Sequence, residues 1–131
     1  MRRERLKPDN PLEWLNQAES DLLIARAPIP GVYLEHLCYH AQQCVEKALK
    51  AILIRRVGDF PFSHNLLQLV DLVEKSGVSV PEEIAGAVVL NTFAVAGRYP
   101  GAGEPTSEVD WHRAIDLASS VLEWANKLLS K

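Results

Sequence analysis

The sequence predicts an all-α protein, an up-and-down four-helix bundle with one additional short helix, five helices in all. Three observations carry that expectation. Apolar residues recur at spacings of three and four over long stretches. Gly and Pro gather at the boundaries of those stretches. No segment of useful length alternates apolar with polar residues as a half-buried strand does. At 131 residues the chain fits one domain, expected over residues 11–131 behind an extended or disordered tail of residues 1–10. That length can bury a hydrophobic core without disulfide or metal staples.

The first helix is announced by Asn10 as cap, Pro11 at the first helical position and Glu13 completing a capping-box pattern. Leu15, Ala18, Leu22 and Ala25 mark its buried face, and Pro28-Ile29-Pro30-Gly31 stops it. The central helix spans residues 34–56 without a Gly or Pro. Leu34, Cys38, Ala41, Val45, Ala48 and Ile52 form a seam of mostly small residues, and His36, His40, Gln43, Lys47 and Lys50 line an adjacent polar stripe. Gly58 ends this helix. Asn65 or Ser63 caps a third, shorter helix facing inward through Leu66, Leu69, Val70 and Val73, and Gly77 closes it. A fourth is expected from Pro81-Glu82-Glu83 to about Gly97, with Ile84, Ala87, Val88 and Val95 inward. Ser107 or Thr106 caps the last, whose face comprises Trp111, Ala114, Ile115, Ala118, Val121, Leu122, Ala125, Leu128 and Leu129.

Apolar residues make up 47% and charged residues 24%, the balance of a soluble globular protein. A net charge of −3 argues against a surface built to grip duplex DNA. Arg2, Arg3, Arg5 and Lys7 cluster at the start, where a short basic tail is more often solvated than functional. The opening MRRERLKPDNP leads into no apolar segment, so no secretory signal is expected, and no apolar run approaches the roughly 18–20 residues of a membrane span. Cys38 and Cys44 lie about 9 Å apart along one helix, too far for a disulfide. Free thiols fit a reducing cytoplasm, the expected location.

His36, His40 and Cys44 are all metal-ligand types at helical spacing. Three ligands in line on a straight helix span about 12 Å, too far to close on one ion, so no metal and no cofactor is expected. Lys47, Lys50, Arg55 and Arg56 suit an anion, but Glu46 four residues before Lys50 reads as its exposed ion-pair partner. His64 either holds the loop before the third helix or faces a cleft. Arg98-Tyr99-Pro100 places a guanidinium and a phenol in a loop, a pairing suited to phosphate or carboxylate. No Gly-rich phosphate loop of the P-loop type occurs.

The series AESDLLIAR, YHAQQCVEKALKAIL, FPFSHNLLQLV and RYP before a final amphipathic helix resembles the HEPN (higher eukaryotes and prokaryotes nucleotide-binding) domain family over roughly residues 11–130. Ala18, Asp21 and Leu22 match the family's A-x-x-D-L pattern, and the QQCVEKALKA segment and the His-Asn-Leu opening of the third helix are the most specific parts. The resemblance implies a helical bundle that commonly dimerises. It also implies a frequent partner, a minimal nucleotidyltransferase, in two-component toxin–antitoxin systems. Some members bind nucleotides. Others are metal-independent ribonucleases that pair an Arg with a His four to six residues further on. Here thirteen residues separate Arg98 from His112, and seven separate Arg56 from His64, so no Arg fits that motif.

The expectation is therefore a non-catalytic, homodimeric HEPN module that binds a nucleotide, RNA or a partner nucleotidyltransferase through His40, Lys47, Lys50, His64, Arg98 and Tyr99. The alternatives are a ribonuclease toxin using Arg98 with His112, and a purely structural dimerisation module.

Overall fold

The computed structural model describes residues 2–95 and 105–130, all helical where regular. Helix α1 (Pro11–Ala25) starts as the sequence predicts, with Asn10 Oδ1 accepting from Leu12 N at 3.0 Å. Glu13 does not close a capping box. The Asn10 amide already donates to the Lys7 carbonyl at 3.0 Å, and the Glu13 carboxylate instead accepts from the Leu6 amide at 2.9 Å.

Helix α2 (Leu34–Val57) is the axis of the molecule and packs against every other long element. The predicted seam from Cys38 to Ile52 is buried, while Leu34 is half-exposed. Burial extends well beyond that seam, to Leu37, Gln42, Cys44, Leu49, Ala51 and Leu53. A helix surrounded on most sides has little use for a single apolar stripe. Gly58, at φ 85°, turns the chain with its amide on the Ile54 carbonyl at 2.9 Å, a left-handed conformation that glycine adopts without the Cβ penalty.

Helix α3 (Leu66–Lys75) buries the four predicted residues, and Asn65 rather than Ser63 caps it, accepting from Leu67 N at 3.0 Å. Asn91 Oδ1 receives the Leu66 amide at 2.7 Å, which ties the start of α3 to the following element.

That element is not one continuous α-helix. It comprises α4 (Glu82–Ala85), a 3-10 segment (Gly86–Asn91) and α5 (Thr92–Val95). The buried residues are Ile84, Ala87 and Leu90, with Val88 only half-buried. Their uniform spacing of three follows from three residues per 3-10 turn. The Val95 side chain and residues 96–104, which include Arg98 and Tyr99, lie outside the described residues.

Helix α6 (Glu108–Leu129) begins with a complete capping box: Ser107 Oγ accepts from Asp110 N at 3.1 Å, and Asp110 Oδ2 accepts from Ser107 N at 3.0 Å. The Ser107 amide, and after it the Ser107 hydroxyl, hold the Asp110 pKa below its ordinary value by hydrogen bonding to the carboxylate. The Trp111 indole donates to the Ala25 carbonyl at 2.6 Å, placing the start of α6 beside the end of α1. Thus α1, α2, residues 82–95 and α6 run up, down, up and down, with α3 laid alongside. Among the described residues no helix is long and apolar enough to cross a membrane.

Candidate functional site

Along α2, between α1 and the segment of residues 58–65, two carboxylates gather most of the expected site residues into adjoining clusters. Asp21, from α1, is buried and receives two groups from α2: His40 Nδ1 at 2.8 Å and Lys47 Nζ at 2.7 Å. Glu46, also buried, receives Lys50 Nζ at 3.1 Å and His64 Nδ1 at 3.0 Å. Gln42, fully buried, donates to the His64 carbonyl at 3.3 Å. Gln43 reaches Gln42 Oε1 at 2.8 Å and Glu46 Oε1 at 3.4 Å, so it lies against the second cluster.

Helical pitch explains the arrangement. His40 and Lys47 are seven residues apart, nearly two turns, and face α1; Glu46 and Lys50 are one turn apart and face the returning chain. The Glu46–Lys50 pair is buried, not exposed as the local spacing predicts, with side-chain exposures of 4% and 6%. Phe60 covers it: the Lys50 ammonium lies 5.0 Å from the Phe60 ring centroid, and Trp14 meets that ring edge-on at 4.8 Å. The spacing within α2 could not show what a later segment lays over it.

A carboxylate only accepts hydrogen bonds, so Nδ1 of each histidine carries the proton and Nε2 is left for another partner. His64 is 66% exposed and His40 33%. Lys47 is 22% exposed and its ammonium has donors beyond the one directed at Asp21. Lys50 is enclosed and acts on Glu46. His64 holds its loop, one of the two roles the sequence left open, through its ring on Glu46 and its carbonyl on Gln42.

The His36–His40–Cys44 line does not converge. His36 is exposed against Tyr33, His40 turns to Asp21, and Cys44 is buried with Sγ 3.8 Å from the Ala118 carbonyl. Burial pushes both free thiols, Cys38 and Cys44, up to about 12. Among the described residues, no three His, Cys, Asp or Glu side chains are grouped to hold a metal. Arg56 binds the Ser76 carbonyl at 2.7 Å, and His112 is exposed beside Trp111, ring centroids 5.0 Å apart. Sequence reasoning missed Asp21, Glu46 and Gln42 as the organisers of the strip. The visible signal was polarity at helix positions that the seam's periodicity places near the core.

The fold and the strip define a helical-bundle module whose polar side chains are ordered around two buried carboxylates. The chain belongs to the HEPN domain family, whose sequence profile matches residues 12–128. It is similar in structure to TT1696 from Thermus thermophilus, with a TM-score of 0.78 and 30% identity over 91% of this chain and 98% of that one. It is also similar to ST0689, an archaeal HEPN homologue, with a TM-score of 0.70 and 28% identity over 96% of this chain and 98% of the other. A stretch of 41 residues is 44% identical to the Methanocaldococcus jannaschii protein named "Putative toxin MJ1304". That stretch is 31% of this chain and spans about a quarter (27%) of the relative.

Proposed function

We propose that this HEPN domain is a non-catalytic, homodimeric binding module for a nucleotide or short single-stranded RNA. It works beside a partner minimal nucleotidyltransferase in a two-component prokaryotic system of the toxin–antitoxin kind. The observation that carries this reading is the pair of histidines on the α2 strip, His40 and His64, each oriented through Nδ1 by a buried carboxylate. A neutral Nε2 accepts from a base or ribose hydroxyl, and a protonated one donates to phosphate. Lys47 adds a partly exposed cation between α1 and α2. Arg98 and Tyr99 complete the proposed contacts, and Lys50 is assigned to positioning Glu46. Calorimetric titration with ATP, GTP and short RNAs tests the proposal. His40→Ala or His64→Ala is expected to weaken binding about tenfold, the scale of one charge-assisted hydrogen bond. If no such ligand binds and no nucleotidyltransferase co-purifies, the proposal fails.

The toxin relative favours a second reading, a metal-independent ribonuclease in which Arg98 steadies phosphate charge and His112 moves the proton. His112, the fifth residue of α6, is exposed, where RNA can reach it. Growth arrest on expression should then vanish in Arg98→Ala and in His112→Ala. Arrest that persists in either variant excludes this reading.

A further inference from the structure

The sequence leads to an extended or disordered basic tail over residues 1–10, and residues 2–9, exposed and without helix or strand, are tethered along α1. Four contacts hold them: the Arg3 guanidinium on Glu19, Arg3 on Asn16 at 3.4 Å, the Leu6 amide on Glu13 at 2.9 Å, and the Trp14 indole on the Pro8 carbonyl at 2.7 Å. Gln17 steadies the Glu13 carboxylate at 2.7 Å. These hydrogen bonds, with the Arg5 charge nearby, hold the Glu13 pKa below its ordinary value, so it is a standing anion at neutral pH.

The folded segment walls two cavities. One, of about 450 Å³, is mostly polar and is lined by Arg2, Arg3, Arg5, Asn16, Gln17 and Ser20 with two glutamates. The other, of about 380 Å³, is mostly apolar, with Leu6, Pro8 and Trp14 in its wall and Lys47 at its side. They share Arg5, Glu13 and Gln17, so they are neighbouring compartments, each of ligand size.

The charges in them are not equally engaged. Glu13 is taken up by the Leu6 amide and Gln17, Arg3 by Glu19, and Lys47 by Asp21. Among the described residues, Arg2 and Arg5 have no hydrogen-bond or salt-bridge partner. Two guanidiniums with no hydrogen bond made, Arg5 acting on Glu13 only through its charge, suit the oxygens of a phosphate, with side-chain amides beside them. An adjoining apolar wall containing an indole suits a flat ring.

We infer that the cleft between residues 2–8 and α1 binds an organic phosphate carrying a planar ring, the phosphate at Arg2 and Arg5 and the ring beside Trp14. The inference deepens the nucleotide reading by adding a site on different residues, with only Lys47 in common. The four tethers fix the wall that the guanidiniums project from, so the cleft is formed by the chain itself.

The test is calorimetry on the full chain with AMP, adenosine, inorganic phosphate, and a tetranucleotide RNA with or without a 5′-phosphate. The Trp14 indole resonance is followed in parallel. AMP or the 5′-phosphorylated RNA is expected to bind and shift that resonance, with adenosine and phosphate each at least about tenfold weaker. Tighter binding of AMP identifies a free nucleotide as the ligand, and tighter binding of the RNA identifies a strand end. Replacing both Arg2 and Arg5 by Ala should weaken the favoured ligand about tenfold or more, with Asp71→Ala, at an exposed position of α3 outside both sites, leaving it unchanged. Both arginines are exposed, so the double variant should fold, with circular dichroism as the check. Binding lost in the histidine variants but retained in the arginine variant overturns the cleft and leaves the α2 strip standing. Absence of binding by both AMP and the 5′-phosphorylated RNA also overturns the cleft.

Discussion

At the residue scale the consequential groups are the buried ones that carry charge or a thiol. Glu46 holds Lys50 and His64 at a position where only 4% of its side chain meets solvent. Glu46→Ala leaves the Lys50 ammonium enclosed without its carboxylate, and such stranded charges destabilise by about 3–5 kcal/mol. Urea unfolding should show that loss, whereas Asp71→Ala, which breaks an exposed pair with Lys75, should change stability by less than about 0.5 kcal/mol. The two cysteines make an alkaline prediction. Burial raises both from an ordinary 9.0 to about 12, so between those values the native chain keeps protons that the unfolded chain has lost. Stability therefore falls as pH rises through that window. At pH 8 the native thiols should resist Ellman's reagent and react only on unfolding.

At the element scale, the 3-10 segment departs from what local sequence indicates, and the tethers of the leading segment to α1 join residues that local spacing does not connect. Leu90→Ala should destabilise by about 2–5 kcal/mol because Leu90 is buried, and Val89→Ala by less than about 0.5 kcal/mol because Val89 is half exposed. A continuous α-helix keeping the expected face through Val88 would not give this contrast. For the leading segment, the lowered Glu13 pKa means its tethering favours the folded arrangement above the ordinary carboxylate range. The tether is lost as pH falls through the depressed value. Amide exchange at Leu6 should be slow at neutral pH and quicken, relative to its intrinsic rate, once Glu13 is protonated.

At the scale of the whole molecule, one helix at the centre of a bundle explains both what was legible and what was not. The helices α1, α2, α3 and α6 were readable because their caps and stops are local chemistry. Asn10, Gly58, Asn65, Gly77 and Ser107 act on neighbours within a few residues, and the faces of α3 and α6 are set by the helical period. The family was readable for a related reason, since its signature residues lie on α2 and at the start of α3. Residues such as His40, Lys47, Lys50 and His64 were also identifiable by type and spacing as one polar stripe with a loop histidine. Their partners were not. Asp21 lies 26 residues from Lys47, Glu46 lies 18 from His64, and Trp111 lies 86 from the Ala25 carbonyl it binds. Sequence by itself determined which segments become helices, where they start and stop, and the family to which their order belongs. Only the tertiary structure decided which charges are buried, which carboxylate orients which histidine, and that the basic segment closes a cleft. Those outcomes depend on which surfaces meet once the helices pack, and burial sets the strength of a charge pair far more than its spacing along the chain does.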